Sequence, residues 1–213
     1  MSAFVHRFEP ATRPDTRPLL LLHGTGGNEN DLMPLGRAVA PGAALLAPRG
    51  QVLERGMPRF FRRLAEGVFD EEDVRRRAHE LADFIDDARA RYRIAAPIAL
   101  GYSNGANVAA ALLLLRPEVL SDAILLRAMT PLASAQPPDL AGKSVLMISG
   151  AQDPIVPPPS AVRLADLLRR GGAAVDHRVL PVGHALSNVD LTLASQSLKA
   201  TPAEADVPAS VKG

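Results

Sequence analysis

A serine between two glycines is the first group in this sequence whose setting suits covalent chemistry. The letters GYSNG at 101–105 follow an apolar run at 97–100 and open an apolar helical pattern at 104–115. At such a strand-to-helix turn the serine is held in a strained, exposed conformation, from which its hydroxyl can attack an electrophile. Glycines on both sides allow the strand and the helix to approach each other closely. We therefore predict that Ser103 is a nucleophile.

A serine hydroxyl needs a base to accept its proton, and histidine is the usual one. His184 lies in a loop at 181–185, just past the last predicted strand, where it can bend over the carboxyl edge of a sheet. We predict that His184 is this base. The other histidines are interpreted as satisfied or exposed side chains: His6, His23, His79 and His177.

The base in turn needs an acid that holds its tautomer and stabilises its charged form. Asp153 is the only acid in the loop at 149–157, which follows a predicted strand at 144–148. We predict that Asp153 has this role. Two weaker alternatives are Asp176, which lies within a predicted strand, and Asp190, which lies at the start of a predicted helix.

Negative charge on a tetrahedral intermediate requires preorganised N–H donors. We predict that the backbone N–H of Asn104, directly after the nucleophile, is one donor and that of Thr25 is the other. Thr25 lies in the glycine-rich loop at 23–31, where the backbone can approach a substrate. A phosphate-binding loop is disfavoured, because this loop lacks both the G-x-G-x-x-G order and a following G-K-[ST].

Short apolar runs alternate with helical patterns along the chain. Unbroken apolar runs are typical of strands buried on both faces, as in a parallel sheet. The predicted strands are 19–22, 44–47, 97–100, 122–127, 144–148 and 174–180. The predicted helices are 29–40, 71–92, 104–115, 160–170 and 188–198. This alternation predicts a single α/β domain over 1–200 with a mostly parallel sheet and helices on both faces, followed by a mobile tail at 201–213.

Composition excludes several other classes of function. Lys and Arg number 24 against 23 for Asp and Glu, a balance that argues against a nucleic-acid binder. The absence of cysteine excludes disulfides, zinc fingers and a cysteine nucleophile. No metal-ligand spacing is present, so we expect no metal and no cofactor. The sequence shows neither a signal-peptide pattern nor an apolar run long enough to span a bilayer, so we expect a cytoplasmic protein without membrane insertion.

Four segments together resemble the phospholipase/carboxylesterase group of α/β-hydrolases, small serine esterases related to acyl-protein thioesterases. They are LLLHGTGGNENDL at 20–32, GYSNGANVA at 101–109, SGAQDPIVP at 149–157 and GHALS at 183–187. A fifth segment, FFRRLAEGVFD at 60–70, resembles the branch of hydroquinone-associated hydrolases. The similarity extends over about residues 4–198.

The resemblance implies an α/β-hydrolase fold of about seven strands without a separate cap domain. It implies that Ser103, Asp153 and His184 form a catalytic triad, in the chain order of that fold, and that Thr25 and Asn104 supply the oxyanion hole. Many relatives form homodimers, so a homodimer is one assembly that the resemblance implies.

Two departures from the family pattern concern the substrate and the last helix. Acyl-protein thioesterases typically have Gln where this chain has Asn104, which weakens a thioesterase assignment. The family often has a Trp-Leu pair near the end of the last helix, where this chain has QSL at 196–198.

The substrate pocket is predicted from a concentration of apolar residues in two loops. They can line an apolar acyl or aryl pocket, or instead pack their own loops against the body of the protein. These residues are Phe60, Phe61, Phe69, Met129 and Leu132. Three neighbouring arginines, Arg59, Arg62 and Arg63, are interpreted as solvated charges rather than as partners of an anionic substrate.

Together these features predict a serine carboxylesterase that hydrolyses small to medium carboxylic esters, aryl esters among them, through an acyl-enzyme. The alternative within the same class is a lysophospholipase or acyl-thioesterase that acts on longer acyl chains. An alternative from another class is a non-catalytic protein that binds a ligand on the same fold.

Overall fold

The computed structural model describes residues 4–133 and 136–200, and its largest sheet contains seven strands within those ranges. The strands, in chain order, are β1 (His6–Glu9), β2 (Leu19–Leu22), β3 (Leu45–Pro48), β4 (Val52–Glu54), β5 (Met57–Arg59), β6 (Arg63–Ala65), β7 (Val68–Phe69), β8 (Ile98–Tyr102), β9 (Ala123–Leu126), β10 (Ser144–Gly150) and β11 (Ala174–Leu180). The main sheet has the order β1-β3-β2-β8-β9-β10-β11. Only β1 runs antiparallel to its neighbour, so the sheet is mostly parallel.

Helices cover both faces of this sheet. They are α1 (Met33–Val39), α2 (Glu71–Tyr92), α3 (Asn104–Leu115), α4 (Pro158–Arg170) and α5 (Asn188–Ala200), with a 3-10 turn at Pro117–Val119. Within the described ranges, no helix is both long enough and apolar enough to cross a membrane.

Alternate side chains of each central strand enter two separate cores. In β2, Leu20 and Leu22 join the core formed with α2, α3 and α4, whereas Leu19 and Leu21 join the core formed with α1 and α5. All four leucines are at most 1% exposed. A strand buried on both faces has no polar side, and for this reason these strands appear in the sequence as unbroken apolar runs.

The mostly parallel α/β architecture predicted from the sequence is confirmed. The first helix is shorter than the predicted 29–40 and begins at Met33, because Asn28 Oδ1 accepts a hydrogen bond from the N–H of Asn30 and forms a local turn instead. The predicted tail at 201–213 lies outside the described residues.

Two β-hairpins occupy the segment between β3 and α2, where the sequence predicted only a loop. The first joins β4 to β5 through Arg55 and Gly56, both at positive φ, as tight hairpin turns require. The second joins β6 to β7. The N–H of Gly26 donates to the carbonyl of Pro58 at 2.9 Å, so the first hairpin lies against the loop after β2.

The turn between β8 and α3 brings backbone segments very close together at two glycines. A Cβ atom on Gly105 would lie 1.9 Å from the carbonyl oxygen of Leu22, and one on Gly101 would lie 2.5 Å from that of Gly105. Ser103 between them has φ 53° and ψ −113°, a conformation that costs a non-glycine residue free energy. The surrounding packing must therefore compensate for this strain.

We expect Gly105→Ala to lower the free energy of unfolding by about 2–3 kcal/mol, because the added methyl overlaps the backbone of β2. Urea denaturation measures this difference. The matched control is Gly183→Ala, whose Cβ would meet nothing closer than the carbonyl oxygen of Gln152 at 3.6 Å. Equal stabilities of the two variants would contradict the prediction.

Candidate active site

The structure brings the three predicted catalytic side chains into one hydrogen-bonded chain. His184 Nε2 lies 2.9 Å from Ser103 Oγ, and His184 Nδ1 lies 2.8 Å from Asp153 Oδ2. The three residues follow the carboxyl ends of β8, β10 and β11, which meet at one edge of the sheet. An imidazole between a serine hydroxyl and a carboxylate can take the serine proton and retain its orientation.

Asp153 is held by its own loop. One carboxylate oxygen, Oδ1, accepts hydrogen bonds from the N–H groups of Ile155 at 2.8 Å and Val156 at 3.1 Å. The other oxygen faces His184. The side chain is 1% exposed, and these donors offset the cost of burying its charge.

The loop that carries His184 is held by hydrogen bonds from a buried arginine that was not predicted from the sequence. Arg127 donates from Nε to the carbonyl of Gly183 at 3.1 Å and from Nη2 to the carbonyl of Ala185 at 3.0 Å. These carbonyls flank His184 on both sides. The signal in the sequence was a single arginine at the end of an apolar strand, in the letters AILLRAM at 123–129.

Arg127 is itself held by Asp190, through hydrogen bonds of 2.7 and 3.0 Å, and both side chains are fully buried. Burial raises the pKa of Asp190, but hydrogen bonds from Arg127 and Ser187 outweigh it and keep that pKa below its ordinary value. Asp190, one of the two alternative acids, therefore pairs with Arg127. The other, Asp176, lies beside Arg178 on the surface.

Tyr102, the residue before the serine, contacts the same loop. Its hydroxyl donates to the carbonyl of His184 at 3.2 Å, and its ring lies 5.4 Å from the imidazole, centroid to centroid. A Cβ atom on Gly24 would lie 3.0 Å from this ring. Tyr102 thus packs between the glycine-rich loop and His184.

The predicted oxyanion donors lie at the N-terminus of α3 and in the loop after β2. Asn104 is the first residue of α3, and N–H groups in the first turn of a helix have no acceptor within the helix. Thr25 Oγ1 accepts a hydrogen bond of 2.7 Å from Nη1 of Arg59. The side-chain oxygen of Asn104 accepts the N–H of Phe60 at 2.8 Å. Both candidate donors are therefore tied to the end of the first hairpin.

A cavity of about 330 Å³ adjoins Ser103 and His184. Its walls include Phe69 and Met129, two of the residues predicted to form the pocket. The apolar side chains of Ile155 and Val156 also line it, although the sequence analysis did not select them.

The remaining three predicted pocket residues are core residues, which corrects that part of the prediction. Phe60 is 3% exposed, and Phe61 and Leu132 are fully buried in the core on the α2 side of the sheet. Phe60 and Phe61 lie between the two hairpins and Leu132 lies in the loop after β9, and burial of their apolar surface stabilises the fold. These three residues therefore pack their loops against the body of the protein, which was the alternative to lining a pocket.

A second serine–histidine contact lies away from this cavity. Ser149 Oγ is 2.9 Å from His177 Nε2, between the neighbouring strands β10 and β11. Among the described residues, no carboxylate hydrogen-bonds to His177, and Ser149 lies within a regular strand. This pair lacks both the strained turn and the third group found at Ser103.

His23 and His6 have hydrogen-bond partners outside the candidate triad. His23 is 1% exposed; its Nδ1 lies 2.6 Å from the carbonyl of Gly24, and its Nε2 accepts the N–H of Gly50 at 2.9 Å. Burial lowers the pKa of His23, and this pattern requires the neutral ring. His6 contacts the carbonyl of Phe4 and the hydroxyl of Tyr92.

The mostly parallel seven-stranded sheet, the strained serine turn between β8 and α3 and the chain order Ser103, Asp153, His184 agree with the α/β-hydrolase fold. The family model described as phospholipase/carboxylesterase matches residues 6–202, and the chain belongs to this family of hydrolases.

Individual relatives support this assignment. The chain is 47% identical to MhqD of Bacillus subtilis strain 168 over 184 residues, which cover 85% of this chain and 91% of MhqD. The crystal structure of the Bacillus cereus carboxylesterase is similar with a TM-score of 0.90 and 43% identity, covering 92% of this chain and 94% of that one. A carboxylesterase from Mesorhizobium loti is similar with a TM-score of 0.88 and 36% identity, covering 93% and 95%.

We expect Asp190→Asn to lower the free energy of unfolding by about 3–5 kcal/mol at pH 7, because it leaves the buried charge of Arg127 without its counter-ion. The folded-state pKa of Asp190 lies below its ordinary value, so the ion pair stabilises fully above that ordinary value and its contribution is lost as pH falls through the folded-state pKa. The difference between wild type and variant should therefore shrink in acid. Denaturant titrations from pH 7 to pH 3 measure it.

The matched control for this experiment is Asp176→Asn, which removes an exposed ion pair with Arg178 and should cost at most about 1 kcal/mol. A loss for Asp190→Asn no larger than that of the control would contradict the prediction that the buried charge of Arg127 depends on Asp190.

Proposed function

We propose that this protein is a serine carboxylesterase that hydrolyses small to medium carboxylic esters, aryl esters included, through an acyl-enzyme. The observation that carries the proposal is the continuous hydrogen-bonded chain from Ser103 Oγ through His184 to the buried carboxylate of Asp153. Membership of a hydrolase family supports the same class of reaction.

In the proposed reaction, Ser103 Oγ attacks the ester carbonyl while His184 Nε2 takes the hydroxyl proton. The N–H groups of Thr25 and Asn104 stabilise the oxyanion, and the dipole at the start of α3 favours negative charge there. His184 then returns the proton to the departing alcohol, which leaves the acyl group on Ser103. Water, deprotonated by the same imidazole, attacks the acyl carbonyl; His184 then returns the proton to Ser103 Oγ as the acyl–oxygen bond breaks, which releases the carboxylic acid and regenerates the enzyme.

The size of the cavity supports esters of modest length. About 330 Å³ is at the small end of the range for ligand pockets. A longer acyl chain would have to enter a neighbouring cavity of about 750 Å³, which shares Phe69 and Met129 with the first. Charged side chains line that second cavity: Glu71, Arg163, Asp166 and Arg170.

The contact between the two cavities favours one second candidate, a lysophospholipase or acyl-thioesterase for longer chains. The charges on the wall of the larger cavity weigh against it, because burying an alkyl chain beside them requires their partial desolvation. We therefore prefer the shorter esters.

We expect Ser103→Ala to reduce kcat for p-nitrophenyl butyrate by at least about a thousandfold, because triad members act as a unit. The wild type should also form one covalent adduct per chain with a fluorophosphonate probe, measured by intact mass, and Ser103→Ala should form none. Ser149→Ala is the matched control, since it removes the other serine that contacts a histidine, and it should retain both activity and labelling. Labelling that survives in Ser103→Ala would refute the assignment, and a wild type with neither labelling nor hydrolysis would favour a ligand-binding protein.

For chain length, we expect kcat/KM to be highest for p-nitrophenyl acetate or butyrate and to fall by about tenfold or more for the octanoate, because its longer acyl chain extends toward the neighbouring cavity with its charged wall. Initial rates on the three esters measure the profile. A maximum at the octanoate would favour the enzyme for longer acyl chains.

A further inference from the structure

Arg59 is a buried cation beside the candidate nucleophile, contrary to its interpretation as a solvated charge. Its side chain is 3% exposed, and it lines the same cavity as Ser103. Its neighbours in sequence differ. Arg62 is 62% exposed and pairs with Asp70, whereas Arg63 is 28% exposed at the cavity wall.

The protein does not use the full hydrogen-bonding capacity of this guanidinium. Arg59 donates from Nε to the carbonyl of Phe61 at 3.2 Å and from Nη1 to Thr25 Oγ1 at 2.7 Å. A guanidinium has five N–H donors, and Nη2 has no acceptor among the described residues. Burial lowers the pKa of Arg59, yet an arginine remains protonated at any physiological pH.

The counter-charge for Arg59 is shared. Glu54 lies 3.3 Å from Nε of Arg59, but both of its oxygens accept hydrogen bonds from Arg63, at 3.0 and 3.1 Å. Two guanidinium groups thus rely on one carboxylate. The acid on the cavity wall, Glu66, is exposed to solvent, which screens its charge more strongly than that of a buried group.

A second unpaired donor belongs to the same wall. Asn104 is 2% exposed, and its Nδ2 has no acceptor among the described residues. The orientation of the amide is set, because its Oδ1 accepts the N–H of Phe60 at 2.8 Å. The N–H of Phe60 thus holds Asn104 in place, and Arg59 and Asn104 both line the cavity beside Ser103.

We propose that the cavity beside Ser103 selects esters that carry a carboxylate, held by the guanidinium of Arg59 with the side-chain amide of Asn104 as a second donor. This inference rests on the proposed esterase function and specifies its substrate class. A carboxylate accepts several N–H donors at once and supplies the negative charge that Glu54, shared by Arg59 and Arg63, provides only in part. Charge-assisted hydrogen bonds of this kind are stronger than neutral ones, so a neutral ester of the same size binds less well.

The test compares esters matched in size, in two pairs that place the carboxylate on either side of the scissile bond. In the first, the acyl group is varied: mono-p-nitrophenyl glutarate against p-nitrophenyl hexanoate. In the second, the alcohol is varied: 4-carboxyphenyl butyrate against 4-carbamoylphenyl butyrate. We expect the wild type to prefer the anionic member of at least one pair by about tenfold in kcat/KM, and the pair that responds identifies the side bound by Arg59.

The variants separate this preference from a general loss of activity. Arg59→Met also removes the hydrogen bond to Thr25, so it lowers the rate on every ester, but the ratio of anionic to neutral kcat/KM should fall to about one or below. Arg59→Lys, which keeps the charge, should restore part of the ratio. Arg62→Met, the exposed neighbour, should leave the ratio at its wild-type value.

Two results would overturn the inference: a wild type that hydrolyses the neutral esters without preferring either anionic one, or a preference that Arg59→Met retains. Both leave the proposed esterase intact, because hydrolysis of the neutral esters continues. Failure of the wild type to hydrolyse any of the four esters, together with no fluorophosphonate adduct, would instead refute the esterase itself.

Discussion

The contact between Gly105 and the carbonyl of Leu22 is the constraint on which the rest of the site depends. With no room for a Cβ atom, the start of α3 lies directly against the end of β2, and the chain must reverse within the intervening residues. That reversal places Ser103 in a strained backbone conformation. The strain is compensated by α3, whose residues from Asn104 to Leu114 are all buried between the sheet and α2. A buried and mostly apolar helix thus holds Ser103 in place.

Buried charge surrounds this turn, and the buried ions in and beneath the His184 loop have partners that explain their presence. Asp153 accepts two backbone N–H groups and faces His184, while Arg127 and Asp190 neutralise each other beneath the same loop. Hydrophobic pairs of similar volume would stabilise a core at least as well as a buried ion pair. Arg127 offers something that an apolar side chain cannot, because its fork of donors reaches two carbonyl groups on either side of His184. We therefore infer that Arg127 also orients the loop, in addition to its ion pair with Asp190.

Local patterns were enough to predict most of the architecture. The central strands are buried on both faces, so each appears as a run of apolar residues, and the amphipathic stripe of α2 appears with its acidic first turn. The proposed catalytic groups were selected in the same way. Ser103 lies in a short motif, while Asp153 and His184 follow predicted strands whose carboxyl ends meet at one edge in any parallel sheet.

The segment from 51 to 70 could not be predicted in this way, because its contacts are made with residues distant in sequence. Phe60 and Phe61 are buried in the core. Arg59 reaches Thr25, which is 34 positions away in the chain, and Phe60 reaches Asn104, which is 44 positions away. Local sequence shows that a residue is aromatic or charged. Whether it faces solvent, core or cavity depends on which distant surface the hairpin covers, and that surface exists only once the sheet has assembled. The sequence by itself thus predicts which chemical groups the site contains. The burial of its charges, on which the inferred selectivity depends, arises from long-range packing.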